Sequence, residues 1–177
     1  LARIPNRIAV RSQWHTFLFF NKAVRQKRSL SDMNEFEYNM ILLEVGLSLG
    51  ENALDRTPLE LEIDPAWQAD TLKSFDLKHR GYAVVHPGMG GSARNWPTSH
   101  YISWIQEAAK QQPVIITGTA GDKEILEPIQ QALNGTANVM WLNEKLTGPT
   151  LLQVLEGATR VLAPSTGVAH LAAALGV

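Results

Sequence analysis

The chain has 177 residues, of which 45% are hydrophobic and 19% charged, and its formal net charge at pH 7 is −1. This composition fits an ordinary globular protein with room for one substantial core, or for one domain and part of another. The lack of cysteine excludes disulfide frameworks and thiolate metal sites, and no apolar run approaches the ~18 to 20 residues needed to span a bilayer.

The charge is unevenly distributed along the chain. A basic head, defined here as residues 1–31, contains seven basic residues before the first acid at Asp32: Arg3, Arg7, Arg11, Lys22, Arg25, Lys27 and Arg28. Trp14, Phe17, Phe19 and Phe20 lie among these charges. The head could face nucleic acid, an anionic membrane or an anionic substrate, or its aromatics could be core and its charges a solvated rim.

The first elements in chain order are a strand and a helix. "NRIAVR" alternates like a short strand, and Asp32 with Glu35 three residues later predicts a capping box. The spacing of the following apolar residues places Met33, Phe36, Met40, Leu43 and Leu47 on one helix face. We expect this helix to end near Gly46 or Gly50. The charged, proline-containing "LDRTPLELEIDP" that follows is a candidate interdomain linker.

Beyond residue 80 short apolar strands alternate with helices. Strands are predicted at 82–86, 113–117, 138–142 and 160–163. The corresponding helices are expected to begin at Pro97, span about 122–133, cover "TLLQVLEGA" and begin near Gly167. Continuous apolar strands of this kind favour a parallel α/β sheet with helices on both faces, a Rossmann-like domain.

Ligands of such sheets bind beyond the carboxyl ends of the strands, where this chain has "PGMGGSARN", "GTAGD", "NEKLTG" and "PSTG". Gly88, Gly90 and Ala93 have the spacing of a dinucleotide fingerprint. However, Pro97 delays the helix beyond the fingerprint, and the second strand lacks the acid that binds a ribose. We therefore reject an NAD site, and no Walker motif occurs.

Three positions remain candidates for anion or sugar contacts. Arg94 lies before a helix N-terminus, where a cation is disfavoured unless an anion lies beside it, although a solvent-facing loop arginine is the simpler alternative. Asp122 could cap its helix or bind a sugar hydroxyl, and His170 could face either the ligand or the core. Nothing in "NEKLTG" decides whether it contacts a nucleobase or whether its Lys145 contacts a phosphate.

Taken together, "HPGMGGSARNWP", "TGTAGD" and "LEGATRVLAPSTGVAHLAAALG" resemble the C-terminal half of a family-nine glycosyltransferase, the heptosyltransferases of lipopolysaccharide core assembly. The resemblance implies a GT-B fold. It assigns residues 1–58 to the end of an acceptor-binding domain, 59–79 to an interdomain linker and helix, and 80–177 to a C-terminally incomplete nucleotide-sugar-binding domain. Both ends are expected to be cuts through a larger protein.

The resemblance also implies an activity. It predicts inverting, metal-independent transfer of heptose from ADP-heptose to a lipid-linked lipopolysaccharide acceptor, with no cofactor, at the cytoplasmic face of the bacterial inner membrane. Arg94 would stabilise the leaving diphosphate, Asp122 would lie near the ribose, and Leu146 and Thr147 near the adenine. The remaining binding residues implied are Gly88, Met89, Gly90, Gly91, Ser92, Gly118, Ser165, Thr166, Gly167 and His170.

The family's catalytic base is an Asp that this chain lacks, so the fragment alone is expected to be inactive. Two alternatives stay open on the same architecture, namely a nucleotide-sugar epimerase or hydrolase and a non-catalytic nucleotide-binding module. A nucleic-acid-binding module is disfavoured, because the basic head matches no known nucleic-acid fold.

Overall fold

The computed structural model describes residues 3–11, 14–57, 60–91 and 94–177. Contacts divide the chain into two compact units, residues 1–58 and residues 59–177. Within the described residues, no helix combines the length and the apolar character required to cross a bilayer.

The first unit contains two parallel strands, β1 (Ile8–Val10) and β2 (Lys22–Val24), connected through the short helix α1 (Trp14–Phe19). Helix α2 (Glu35–Leu47) packs on both strands. A side chain at Gly46 would overlap that of Ile8, so this glycine lets α2 approach β1 closely. Lys22 Nζ donates to the carbonyl of Gly46 at 2.7 Å, which satisfies one of the free carbonyls at the helix end.

The predicted cap of α2 is wrong by two residues. Asn34, not Asp32, is the N-cap, and Glu37 completes the capping box. Asp32 instead accepts a hydrogen bond from the hydroxyl of Tyr38, which is buried. The helix ends at Leu47, next to Gly46 as predicted, although the residue that adopts the left-handed cap conformation is Ser48, with φ of 59°, and not a glycine.

The predicted apolar stripe of α2 is largely exposed. Met33, Phe36, Leu43 and Leu47 are each 36% exposed or more, whereas Tyr38, Glu44 and Gly46 form the buried side. Glu44 is held by Arg56, whose Nη2 donates to its carboxylate at 2.7 Å. Spacing therefore identified one face of the helix but not the face that packs on the strands.

The second unit is built around a four-stranded parallel sheet. Its strands are β3 (Ala83–Val85), β4 (Val114–Ile116), β5 (Val139–Trp141) and β6 (Arg160–Leu162), in the spatial order β5-β4-β3-β6. In the register, Ala83 pairs with Val114 and with Arg160, and Val114 pairs with Val139. Strands β3 and β4 are fully buried, which explains their continuous apolar sequences.

Helices cover both faces of this sheet, which confirms the predicted α/β fold. On one face, α4 (Thr98–Ala108) and α5 (Lys123–Ala132) bury Tyr101, Ile105 and Ile129 against Val85 and Ile116. The other face carries α3 (Pro65–Ser74), α6 (Gly148–Glu156) and α7 (Gly167–Ala174). Helix α3 packs on α6, and Leu72 of α3 is buried beside Tyr82.

The strand order creates the functional crevice. From β3 the chain moves outward through β4 to β5 and then returns to place β6 on the other side of β3. Helix α4, which follows β3, and helix α7, which follows β6, cover opposite faces of the sheet, and a crevice opens at the carboxyl ends of these two strands. The loops after these two strands flank it.

Candidate functional site

A cleft with a volume of about 260 Å³ lies at the carboxyl ends of β3, β4 and β6. It brings together loops that are far apart in sequence, as the sheet topology requires. Six of the predicted site residues line it, namely Gly88, Met89, Gly90, Asp122, Thr166 and Gly167. His86, Thr119, Gly121 and Val168 line it as well.

The glycine loop after β3 has a backbone that other residues adopt only with strain. Gly90 and Gly91 have φ values of 55° and 76°, in the left-handed region. Gly91 is exposed beside the cleft, and predicted residue Ser92 lies outside the described residues. The loop can therefore bring backbone N–H groups to its surface without side chains that would keep a ligand away.

Asn95 connects this loop to the core. Its Nδ2 donates to the carbonyl of Pro87 at 2.7 Å, and its Oδ1 accepts from Trp96 N–H and from the hydroxyl of Tyr101 at 2.6 Å. Tyr101 belongs to α4, and its side chain is buried in the core between this helix and the sheet. As predicted, α4 starts only after the fingerprint, at Thr98, with Pro97 as its N-cap.

Asp122 caps a turn and also lines the cleft. Its carboxylate Oδ2 accepts from the N–H of Thr119 at 2.8 Å and from the hydroxyl of Thr119 at 2.7 Å, and it thereby caps the 3-10 turn Ala120–Asp122. It does not cap α5. The carboxylate lies directly against Gly88, where a side chain would overlap it. A structural role is thus observed, and a ribose contact stays a prediction.

His86 is a site residue that the sequence analysis did not single out. It is 8% exposed and follows directly after β3, and its Nδ1 shares a 2.9 Å hydrogen bond with the hydroxyl of Thr117. Burial lowers the pKa of His86, and the negative charge of Asp122 partly opposes this shift. The imidazole is therefore neutral near pH 7.

The lowered pKa of His86 makes stability depend on pH. Below the unfolded-state pKa of 6.5 the unfolded chain binds a proton that the folded chain resists, so folding stability should fall as pH decreases through this value. We expect His86→Gln to weaken that dependence, as measured by urea unfolding between about pH 7.5 and 5. An identical pH slope in variant and parent would contradict the assigned environment.

Arg94 and Ser165 lie together in a second cleft of about 250 Å³. This cleft is bounded by the loop after β6 and by residues Asn95, Trp96 and Tyr101. Arg94 is exposed, and among the described residues it has no hydrogen-bond or ion-pair partner. Because Ser165 and Thr166 are consecutive, the two clefts adjoin along the loop after β6.

Thr166 occupies the N-cap position of α7 but makes no capping hydrogen bond. Its Oγ1 is buried and has no partner within the described part of the chain. A buried hydroxyl without a partner is costly, and N-cap threonines normally bond the first turn of their helix. The hydroxyl and the N-terminus of α7 are therefore available to a ligand in the cleft.

The other predicted site residues lie elsewhere or support the site from beneath. Gly118 lets the side chain of Leu126 pack directly on the backbone after β4, because a Cβ atom at residue 118 would lie 2.6 Å from Leu126. His170 is exposed and is not part of the core. Thr147 is the N-cap of α6, and Leu146 packs on the core. Neither Leu146 nor Thr147 lines the two clefts, so their adenine contact stays a prediction.

Comparison with known proteins places this geometry in a family. Residues 6–177 match the model of glycosyltransferase family 9 (heptosyltransferase). Over 126 residues, 65% of the chain, the sequence is 32% identical to lipooligosaccharide heptosyltransferase 2 of Haemophilus influenzae and covers 36% of that protein.

Two solved structures share the fold. ADP-heptose LPS heptosyltransferase II of E. coli superposes with a TM-score of 0.62 and 22% identity over 97% of this chain and 54% of its own. A glycosyl transferase family 9 protein of Veillonella parvula has a TM-score of 0.69 and 16% identity over 95% of this chain and 48% of its own. The chain thus spans between about a third and a half of the length of these relatives.

Proposed function

Because the chain belongs to glycosyltransferase family 9, we propose that its protein transfers heptose from ADP-heptose to a lipopolysaccharide core acceptor and that the cleft beyond β3 and β6 binds the donor. The observation that carries the donor assignment is Arg94, which has no partner in the described part of the chain and lies beside the loop that opens α7. A cation, a glycine loop and a helix N-terminus in adjoining clefts suit a diphosphate. The E. coli relative is named for ADP-heptose, which supports the choice of donor.

In the proposed reaction, negative charge develops on the diphosphate leaving group beside these residues. An acceptor hydroxyl attacks the anomeric carbon of the sugar with inversion at that carbon. The bond from the carbon to the diphosphate breaks, its electron pair stays on the phosphate oxygen, and the departing nucleoside diphosphate carries one additional negative charge. Arg94, the first N–H groups of α7 and the loop N–H groups stabilise that charge. The group that accepts the hydroxyl proton is not assigned to this chain.

The basic head supports an anionic acceptor. Helix α1 exposes Trp14, Phe17 and Phe19 by 75%, 63% and 61%, and the guanidinium of Arg11 lies 4.9 Å from the ring centre of Phe17. Cationic and aromatic side chains together suit a phosphorylated lipid-linked saccharide at the cytoplasmic membrane surface. Acceptor binding should therefore weaken as salt is raised, and a weak salt dependence would count against this contact.

A product assay tests the proposed activity and separates it from its nearest alternative. The complete protein is incubated with ADP-heptose, with and without a core acceptor that lacks heptose. We expect a heptosylated acceptor of inverted anomeric configuration, and no sugar released from the donor alone. Free heptose or an epimerised donor in the arm without acceptor would instead support a nucleotide-sugar hydrolase or epimerase.

A further inference from the structure

Helix α1 and the residue that follows it expose a ridge of large apolar side chains. Only Thr16 is recorded as a buried residue of this helix. Five large apolar side chains within seven consecutive residues are between 36% and 75% exposed, and we define them as the apolar ridge: Trp14, Phe17, Leu18, Phe19 and Phe20. A contiguous exposed apolar surface of this kind is typical of a site that binds a partner or a membrane.

Three arginines border the apolar ridge within the first unit. The guanidinium of Arg11 lies 4.9 Å from the ring centre of Phe17. Arg25 is next to Arg11, because the N–H of Arg11 donates to the carbonyl of Val24 at 2.8 Å. The carbonyl of Arg7 accepts a hydrogen bond at 3.1 Å from the N–H of the residue that directly follows the ridge. All three arginines are exposed, and none forms an ion pair within the described part of the chain.

The charge of this surface favours an anionic bilayer over a protein segment as its partner. No acidic residue precedes Asp32 in the sequence. A protein segment that covered the ridge would have to supply acids for the three arginines, because buried charges without partners are costly. An anionic bilayer supplies phosphates in its headgroup layer and hydrocarbon directly beneath, and tryptophan side chains favour the boundary between the two.

We propose that α1 is a membrane-docking surface, in which the apolar ridge enters the headgroup region of an anionic phospholipid bilayer and Arg7, Arg11 and Arg25 bind the lipid phosphates. The two attractions add, since the binding of an interfacial helix depends on its buried apolar area and on its attraction to anionic lipids. This inference goes beyond the proposed transfer reaction, because bilayer binding needs neither sugar donor nor acceptor. The two proposals can therefore fail separately.

The test is cosedimentation of the complete protein with vesicles of phosphatidylcholine alone or mixed with phosphatidylglycerol, without donor or acceptor. We expect binding to the mixed vesicles that weakens as salt is raised. The double substitution Leu18→Ser with Phe19→Ser should weaken this binding by about 10-fold or more, because it removes apolar area that the bilayer buries. Arg11→Gln should weaken it by about 5-fold, the contribution of one arginine near an anionic surface.

Trp67 of α3 supplies a matched control, because it is a comparably exposed tryptophan with acidic neighbours. It is 68% exposed, compared with 75% for Trp14. Asp64 and Asp70 stand three residues before and three residues after it, on its side of the helix. We expect Trp67→Ser to bind the mixed vesicles as the parent does, whereas Trp14→Ser should bind them more weakly.

The depth of insertion and the stability of the free protein decide the remaining outcomes. Lipids with brominated acyl chains quench tryptophan fluorescence on contact, so we expect less quenching in Trp14→Phe than in the parent. Equal vesicle binding by the parent and the double variant, or binding only to vesicles that carry a lipid-linked acceptor, would overturn the proposal. A lower Tm of the double variant would overturn it as well, because another part of the complete protein would then cover the ridge.

Discussion

Replacement of Arg94 by alanine is expected to lower the turnover of the complete protein by about 10²- to 10³-fold, equivalent to ~3 to 4 kcal/mol of transition-state stabilisation. The reason is that the departing diphosphate gains charge as the bond to the sugar breaks. Arg94 has no ion-pair partner within the described residues and lies beside Ser165 and the loop that opens α7. The measurement is the initial rate at saturating donor and acceptor.

A matched control for Arg94 is the arginine at the amino end of β6. Arg160 is an exposed arginine that begins β6, whereas Ser165 follows the carboxyl end of that strand. We expect Arg160→Ala to leave turnover within about two-fold of the parent, because an exposed charge far from the reacting atoms is screened by solvent. Equal turnover in Arg94→Ala and the parent would remove Arg94 from the mechanism.

Gly88→Ala is expected to destabilise the second unit and to abolish nucleotide binding. A methyl group at residue 88 would overlap the carboxylate of Asp122, which cannot retreat easily because Thr119 holds it through two hydrogen bonds. Overpacking of this kind costs about 1 to 3 kcal/mol. The loss should appear as a lower Tm and as a lower urea midpoint, and ADP titration should show no binding.

Gly121→Ala is the control for this substitution within the same cleft. The nearest atom to a methyl group at residue 121 is Thr119 Oγ1 at 3.6 Å, an ordinary contact distance. We therefore expect a stability close to that of the parent, or slightly higher because alanine restricts the unfolded chain. If both glycine variants behave alike, the close packing of Asp122 on residue 88 is not what the loop requires.

The sequence was sufficient to predict the second unit because its signals are local and mutually consistent. Four apolar runs became β3, β4, β5 and β6, each shorter than predicted, and Pro97 correctly placed the start of α4 beyond the glycine loop. The first unit was harder to predict. In α2, Asp32 and Asn34 are both good capping residues two positions apart. In the structure Asn34 forms the capping box with Glu37, and Asp32 accepts a hydrogen bond from Tyr38 instead.

The candidate site was predicted in part, because the sequence was enough to predict a parallel sheet. Parallel topology alone brings the loops after β3, β4 and β6 together, so Gly88, Asp122 and Thr166 converge on one cleft. His86 was missed because a histidine at the end of a buried strand has no spacing signature. Its buried position at the cleft, with Nδ1 hydrogen-bonded to Thr117, 31 residues later in sequence, is visible only in the structure.

The central claim is that the cleft at the ends of β3 and β6 is a nucleoside diphosphate site. It is tested most directly by calorimetric titration of the complete protein with ADP, UDP and GDP, with Arg94→Ala as the comparison. We expect saturable ADP binding that is tighter than the binding of UDP or GDP and weaker in the Arg94→Ala variant. Binding of none of the three, or ADP binding that Arg94→Ala leaves unchanged, would contradict it.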